Sequence, residues 1–180
     1  MAEHESVEHE HQAAHREVTT RPAVSSGIVV GHDGSERSQA AVRWAAEEAA
    51  VRGCALHVVR AWTVTHAPRP STWSFGYVPS LPEYETAVTE VLEDAWQGLR
   101  EHVPELHLHA AHGKPARIIV EASRGADLVV VGSRGQGRVA EFALGSVADQ
   151  VAREARCPVV VVRPSTTDPL GGVADPLGGD

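Results

Sequence analysis

The 180-residue chain is short of several things, and each shortage narrows what it can be. Nowhere do apolar residues run on for the roughly 20 positions that a helix needs to cross a bilayer, so no membrane span is expected. Lysine occurs once, at Lys114, beside fifteen arginines. That residue lacks the upstream glycine of a Walker phosphate loop, which excludes that motif. There are two cysteines, Cys54 and Cys157, each at the lip of a predicted strand. They make no disulfide framework and read as small buried hydrophobes. Positive charge is in deficit: the formal charge is −8, whereas nucleic acids and anionic membranes call for a basic surface. The N-terminus is acidic and histidine-rich, unlike a secretory or transit leader, so the expected compartment is the cytoplasm.

What is there divides into a core and two ends. Residues 1–26 hold five glutamates and four histidines (His4, His9, His11, His15) without apolar periodicity. They read as a disordered, solvated tail. As a metal-binding tract they would hold an ion only loosely, having no packed second shell. Residues 165–180 repeat Asp-Pro-Leu-Gly-Gly twice, a composition that supports no core, and form a second predicted tail. One domain is expected over 27–164.

Within that domain strands and helices alternate. Gly27 to Gly31 is apolar and strand-like, followed by the turn His32-Asp33-Gly34-Ser35. Ser35 is a suitable N-cap for a helix over 36–52, in which Ala41, Ala45 and Ala49 recur one turn apart and Gly53 ends the helix. A strand over 56–62 leads into a loop rich in proline and aromatics, of a length that is usually functional or mobile. Pro82 and the spacing Tyr84, Val88, Val91, Leu92, Ala95, Trp96, Leu99 predict an amphipathic helix. Leu106 to Ala110 alternates strictly, predicting an edge strand with His107 and His109 on one open face. These two read as solvated residues rather than as a metal site. A helix from Pro115 to Arg124, a valine-rich strand from Leu128, a helix from Ser146 to Ala155 and a last strand over 159–162 follow. The alternation specifies an α/β, doubly wound domain: five parallel strands with helices on both faces.

The stretch from Asp127 to Pro164 organises the rest. Two β-branched runs, Leu128 to Val131 and Val159 to Val162, bracket a loop holding Gly132, Gly135, Gly137 and Gly145, and Gly145-Ser146 opens a helix. A helix N-terminus leaves backbone N–H groups unpaired and carries partial positive charge, which suits a phosphate. Ligands in such sheets lie beyond the carboxyl ends of the strands where the winding reverses. If it reverses between the first and fourth strands, Asp33 faces the glycine loop. Such a crevice suits a nucleotide, with sugar or base near Asp33 and phosphates near Gly145 and Ser146. A helix end contributes only about 0.3–1 kcal/mol to an anion, up to about 2 when partly buried. Micromolar affinity needs about 8 kcal/mol, so base burial, loop N–H groups, a cation and Arg134 or Arg138 must share it.

Val30-Gly31-His32-Asp33-Gly34-Ser35, Ala126-Asp-Leu-Val-Val-Val-Gly-Ser-Arg-Gly135, Leu144-Gly-Ser-Val147 and Cys157-Pro-Val-Val-Val-Val162 together resemble the ATP-binding branch of the universal stress protein family. The match runs from about Gly27 to Pro164, with the glycine spacing G-x2-G-x9-G-[S/T] complete. The resemblance implies a sheet order of 3-2-1-4-5, ATP as ligand together with Mg²⁺, and a homodimer formed partly through the last strand. It implies that Asp33 sits at the ribose or adenine side and that the backbone of Ala61 meets the adenine. Gly132, Gly135, Gly145, Ser146 and Val147 would surround the ribose and phosphates. The function implied is that of a nucleotide-dependent stress-response regulator. One alternative is a dimeric interaction module of the same fold that binds no nucleotide. Another is a slow ATP hydrolase, for which Asp33 and His32 are the only candidate groups at the crevice; no catalytic residue is assigned.

Overall fold

The computed structural model describes residues 20–135 and 144–163. Residues 1–19, the tail at 165–180 and Arg138 of the glycine loop lie outside the described residues. Among those described, the chain alternates β1 (Ile28–Gly31), α1 (Glu36–Arg52), β2 (Ala55–Trp62), α2 (Leu81–Trp96), a 3-10 turn (Gln97–Glu101), β3 (Glu105–His112), α3 (Pro115–Ala122), β4 (Leu128–Gly132), α4 (Ser146–Glu154) and β5 (Val159–Val162). All strand pairs are parallel, and the order is β3-β2-β1-β4-β5.

The short valine runs form strands because both of their faces are covered. Ile28, Val30, Leu56, Val58, Leu128 and Val130 pack on one face against Ala41, Val42, Ala45 and Ala49 of α1 and Leu92 and Trp96 of α2. On the other face Val29, Val59, Val129 and Val131 meet Ile118, Ile119 and Ala122 of α3 and Ala148 and Val151 of α4. Full burial of one such side chain stabilises by about 1.5–3 kcal/mol, so the two layers together fix the register. The alanine stripe of α1 lets that helix lie close over β1 and β4.

Local chemistry sets the helix ends. The Ser35 hydroxyl accepts the Ser38 N–H at 3.2 Å and caps α1. Gly53 ends it in the left-handed region at φ 64°, where a side chain would be strained. Helix α2 stops at Trp96, ahead of the periodicity that ran on to Leu99. With Gly98 in that stretch the α-helix is disfavoured, and the chain tightens into the 3-10 turn.

The loop between β2 and α2 is tied down at its far end. Glu83, in the first turn of α2, accepts from Thr72 Oγ1 at 2.6 Å, Ser80 N at 2.7 Å, Ser80 Oγ at 2.8 Å and Tyr77 OH at 2.9 Å. These bonds, the Thr72 hydroxyl foremost, hold its carboxyl well below the usual range, at about 2. The start of β1 is also pinned: Gly27 donates to Asp127 Oδ2 at 2.7 Å, and Asp127 N donates back to the Gly27 carbonyl at 2.8 Å. Pro22 is buried and Val24 packs beside the α3–α4 layer, so the residues just before β1 run along the body of the domain.

Two readings of side chains need correcting. Cys54 and Cys157 are free thiols that are half-buried rather than buried, one residue ahead of β2 and two ahead of β5. Burial nonetheless pushes both thiols up, away from the reactive thiolate. His107 and His109 are not simply solvated. They stack with His57, which occupies the matching face of β2.

Candidate functional site

In this strand order β1 lies between β2 and β4, so the winding reverses at the β1/β4 pair, and the segments leaving these strands diverge around a crevice. The register pairs Ile28 with Leu128, Val29 with Val129 and Val30 with Val130. The turn at Asp33 and the glycine loop after Gly132 are thereby brought side by side. A cleft of about 350 Å³ opens there. Asp33, Ala61, Gly132, Gly135, Gly145, Ser146 and Val147 all line it.

Each wall has a local cause. Asp33 is fixed by its own turn: Oδ1 accepts the Ser35 N–H at 3.0 Å and the Ser35 hydroxyl at 2.6 Å, while Ser38 Oγ accepts the Asp33 N–H at 3.3 Å. The cap of α1 and the orientation of this carboxylate are therefore one structure. Its other oxygen lies against the glycine loop, where a Cβ built on Gly135 would run into Oδ2. Gly132 and Gly145 are small for a similar reason. A Cβ on Gly132 would come within 3.1 Å of the Arg37 carbonyl, and one on Gly145 within 3.1 Å of Arg134 Cα.

The loop returns to its start before α4 begins. Gly145 donates to the Ser133 carbonyl at 2.9 Å, and Ser133 donates to the Val162 carbonyl at 2.7 Å, which ties both ends of the loop to β5. The first intrahelical bond of α4 runs from Asp149 N to the Gly145 carbonyl. Ser146, Val147 and Ala148 therefore head the helix with N–H groups that have no partner one turn back, and all three border the cleft. Small residues, a helix start and one carboxylate make a cradle whose chemistry suits an anion at one end and a polar hydroxyl-bearing group at the other.

Several contributors were not picked out from the sequence. Pro115 and Ile119 of α3, Val59 of β2 and His66 of the long loop also border the cleft. Ile119 shares its one-turn spacing with Pro115, a signal of a helix face but not of which cleft it borders. His32 lines the cleft and is 6% exposed, with its ring edge-on to Trp96 at 5.4 Å. Burial first, and then the Arg60 guanidinium, lower its pKa to about 4, with Asp33 acting the other way. The ring is therefore neutral at pH 7. Arg60 on β2 is itself lowered by burial and raised by Asp33, which places this cation within the field of the carboxylate. Asp33 is the one carboxylate among the described residues bordering the cleft.

Comparisons with known proteins agree with this architecture. The model of the universal stress protein family matches residues 26–163. Universal stress protein Rv2623 of Mycobacterium tuberculosis is 36% identical over 144 residues, covering 78% of this chain and 46% of the relative. The chain thus spans about half the length of the curated relatives it matches. A solved universal stress protein in complex with cAMP is similar at 26% identity and TM-score 0.58, covering 78% of this chain and 98% of its own. The universal stress protein of Archaeoglobus fulgidus in complex with dAMP is similar at 26% identity and TM-score 0.53, covering 77% and 98%.

Proposed function

The chain belongs to the universal stress protein family, and we propose that its cleft binds an adenine nucleotide, with ATP as the ligand, and that occupancy regulates a stress response. The observation that carries this reading is the contact of the Asp33 carboxylate with Gly135, across the same cleft from the start of α4. Two structural relatives hold cAMP and dAMP, which supports adenine as the base. In this reading Asp33 accepts from ribose or adenine and the backbone of Ala61 meets the adenine edge. Gly132 and Gly135 give the ribose and phosphates close backbone approach. Gly145, Ser146 and Val147 receive the phosphates.

The residues present suit such a group. The glycine positions leave the backbone bare, and the α4 N–H groups give an anion donors. Mg²⁺ would enter with the triphosphate and offset its charge. The cleft's own carboxylate, Asp33, already serves the turn and the ribose end. Among residues bordering the cleft, Arg134 adds a cation on the loop side.

The assembly proposed is a cytoplasmic homodimer joined partly through β5. That strand is a sheet edge, and its four valines are all only half-buried within one subunit, which leaves apolar surface for a second copy. The long loop after Trp62 places His66 at the cleft, and its response to occupancy would carry the signal to partners.

Acid extraction of freshly purified protein followed by nucleotide chromatography tests the ligand. ATP or another adenine nucleotide at a substantial fraction of protein concentration is expected. Protein that carries none, and that fails to bind ATP, cAMP or AMP in calorimetry, would leave the fold acting as a nucleotide-free interaction module.

A further inference from the structure

At the opposite, amino-terminal end of the sheet, three imidazoles form a stack that the nucleotide reading does not use. The register sets His57 of β2 beside His107 of β3. Their rings stack at 4.5 Å and 10°, and His109 stacks on His57 at 5.3 Å and 19°. His57 is 5% exposed. Its Nε2 lies 3.1 Å from the Ser26 carbonyl and its Nδ1 lies 3.0 Å from His109 Nε2.

These distances fix the tautomers. A carbonyl only accepts, so His57 Nε2 carries the proton given to Ser26. In the neutral ring Nδ1 is then a lone pair, and His109 must donate to it from Nε2. With both rings neutral the chain of bonds runs His109 to His57 to Ser26, and a single proton on the pair keeps it closed only by turning the His57–His109 bond round, with His109 in its other tautomer. Protons on both rings would set two donors, His57 Nδ1 and His109 Nε2, face to face and break the side-chain link that reinforces the β2–β3 ladder.

We propose that His57, His107 and His109 form an acid-sensitive latch, which reinforces the seating of β3 and the segment before β1 on β2 at neutral pH and loosens it on acidification. The supply of counter-charge is what makes the latch sensitive. Glu105 Oε1 lies 3.0 Å from His107 Nε2, so one imidazolium in the stack can be neutralised. The charges acting on His57 are His107 and Glu105, and those acting on His109 are His57 and His107. Of the charged residues of α3, packed on the same face, Glu121 is engaged by Arg21 and Arg124 at 3.2 Å each and Arg117 is exposed. Ser26 brings no charge. Three rings therefore share one carboxylate, and a second proton meets an uncompensated like charge.

Burial first, then the neighbouring rings, lower the pKa of both His57 and His109, the latter to about 4. The unfolded chain takes up these protons near 6.5 while the folded latch refuses them. Stability held by the latch is therefore full above the unfolded value and is lost as pH falls from about 6.5 toward 4. The nucleotide cleft is spared at first, because His57 and Ala61 are four residues, or about 13 Å, apart along β2.

Urea midpoints of the full chain measured from pH 7.5 to 4.5 test the latch. His109→Gln keeps a donor amide toward His57 Nδ1 and cannot titrate. Its stability profile is expected to be flatter than the parent's by about one proton in slope. Amide exchange of β3, corrected for intrinsic rate, is expected to quicken at pH 5 in the parent and less in the variant. If His109→Gln does not fold, imidazole ¹⁵N shifts of the parent decide. They should show protonated Nε2 and unprotonated Nδ1 on His57 at pH 7, and His109 still neutral at pH 5.5. Superimposed profiles, or His57 and His109 titrating near 6.5 in the folded protein, would overturn the proposal.

Discussion

The Asp33 carboxylate occupies the space that a side chain on residue 135 would fill, since a Cβ built on Gly135 would run into Asp33 Oδ2. Two strands far apart in sequence thus end in a carboxylate and a bare backbone that fit only each other. Gly135→Ala should displace Asp33 and weaken ATP binding at least tenfold, about 1.4 kcal/mol, with the melting curve close to the parent's. Because the two positions touch, the losses in Gly135→Ala and Asp33→Ala should fall well short of additive in the double variant. Calorimetry on the four proteins checks this; full additivity would mean that the contact is irrelevant to binding.

Asp33 and Ser35 hold one another as well as the start of α1. Ser35→Ala removes the cap and the partner of Asp33 Oδ1, and should cost about 1 kcal/mol, within the 0.5–2 range of such caps. Asp33→Asn keeps an acceptor for Ser35, so it should disturb stability less than Asp33→Ala. Urea unfolding of the three variants gives the order; equal losses in Asp33→Asn and Asp33→Ala would contradict the role of Oδ1 in the turn.

His32 makes a separate contribution to pH dependence. Its folded pKa of about 4 lies below the ordinary value of 6.5, so the unfolded state binds the proton more readily. The neutral ring's contribution is therefore intact above 6.5 and is lost as pH falls toward 4, reaching about 3 kcal/mol at most. His32→Gln should be less stable than the parent at pH 7 through lost packing on Trp96, yet lose less on going to pH 4.5. Thermal melts at both pH values test this, and an unchanged pH response in the variant would contradict it.

Much of this molecule was legible in its sequence because the signals were local. The valine runs at β4 and β5, Ser35 ahead of α1, Gly53 after it and Gly145-Ser146 ahead of α4 each state their own geometry. Long-range pairing was less legible. His107 and His109 alternate as an open edge should, and nothing local says that His57, fifty residues earlier, fills the space between them. Pro115 and Ile119 read as an ordinary helix face because their position at the cleft depends on how α3 packs across β1 and β2. The burial of His32 against Trp96 likewise depends on where the last turn of α2 packs, which a turn sequence does not encode.

Glu83 should be the tether of the long loop. It is solvent-exposed, and its value comes from the number of donors it gathers rather than from burial. Glu83→Ala removes the partner of Thr72, Tyr77 and Ser80 together, so chymotryptic cleavage after the exposed Phe75 should quicken severalfold while the global unfolding midpoint moves little. Since its carboxyl is depressed to about 2, the tether is present above the ordinary carboxylate range and is lost only as pH falls through that value. Unchanged cleavage would mean that the loop is held by something other than Glu83.

The central claim is that the carboxyl ends of β1 and β4 and the start of α4 hold an adenine nucleotide. Titration of ATP with Mg²⁺ into the parent protein and into Gly145→Val, by calorimetry, tests it most directly. A Cβ at that position already comes within 3.1 Å of Arg134 Cα, and the larger side chain would fill the mouth of the helix. Saturable binding in the parent and none in Gly145→Val, with both proteins folded, is the predicted result. Equal affinity in the two, or no binding in either, would contradict it.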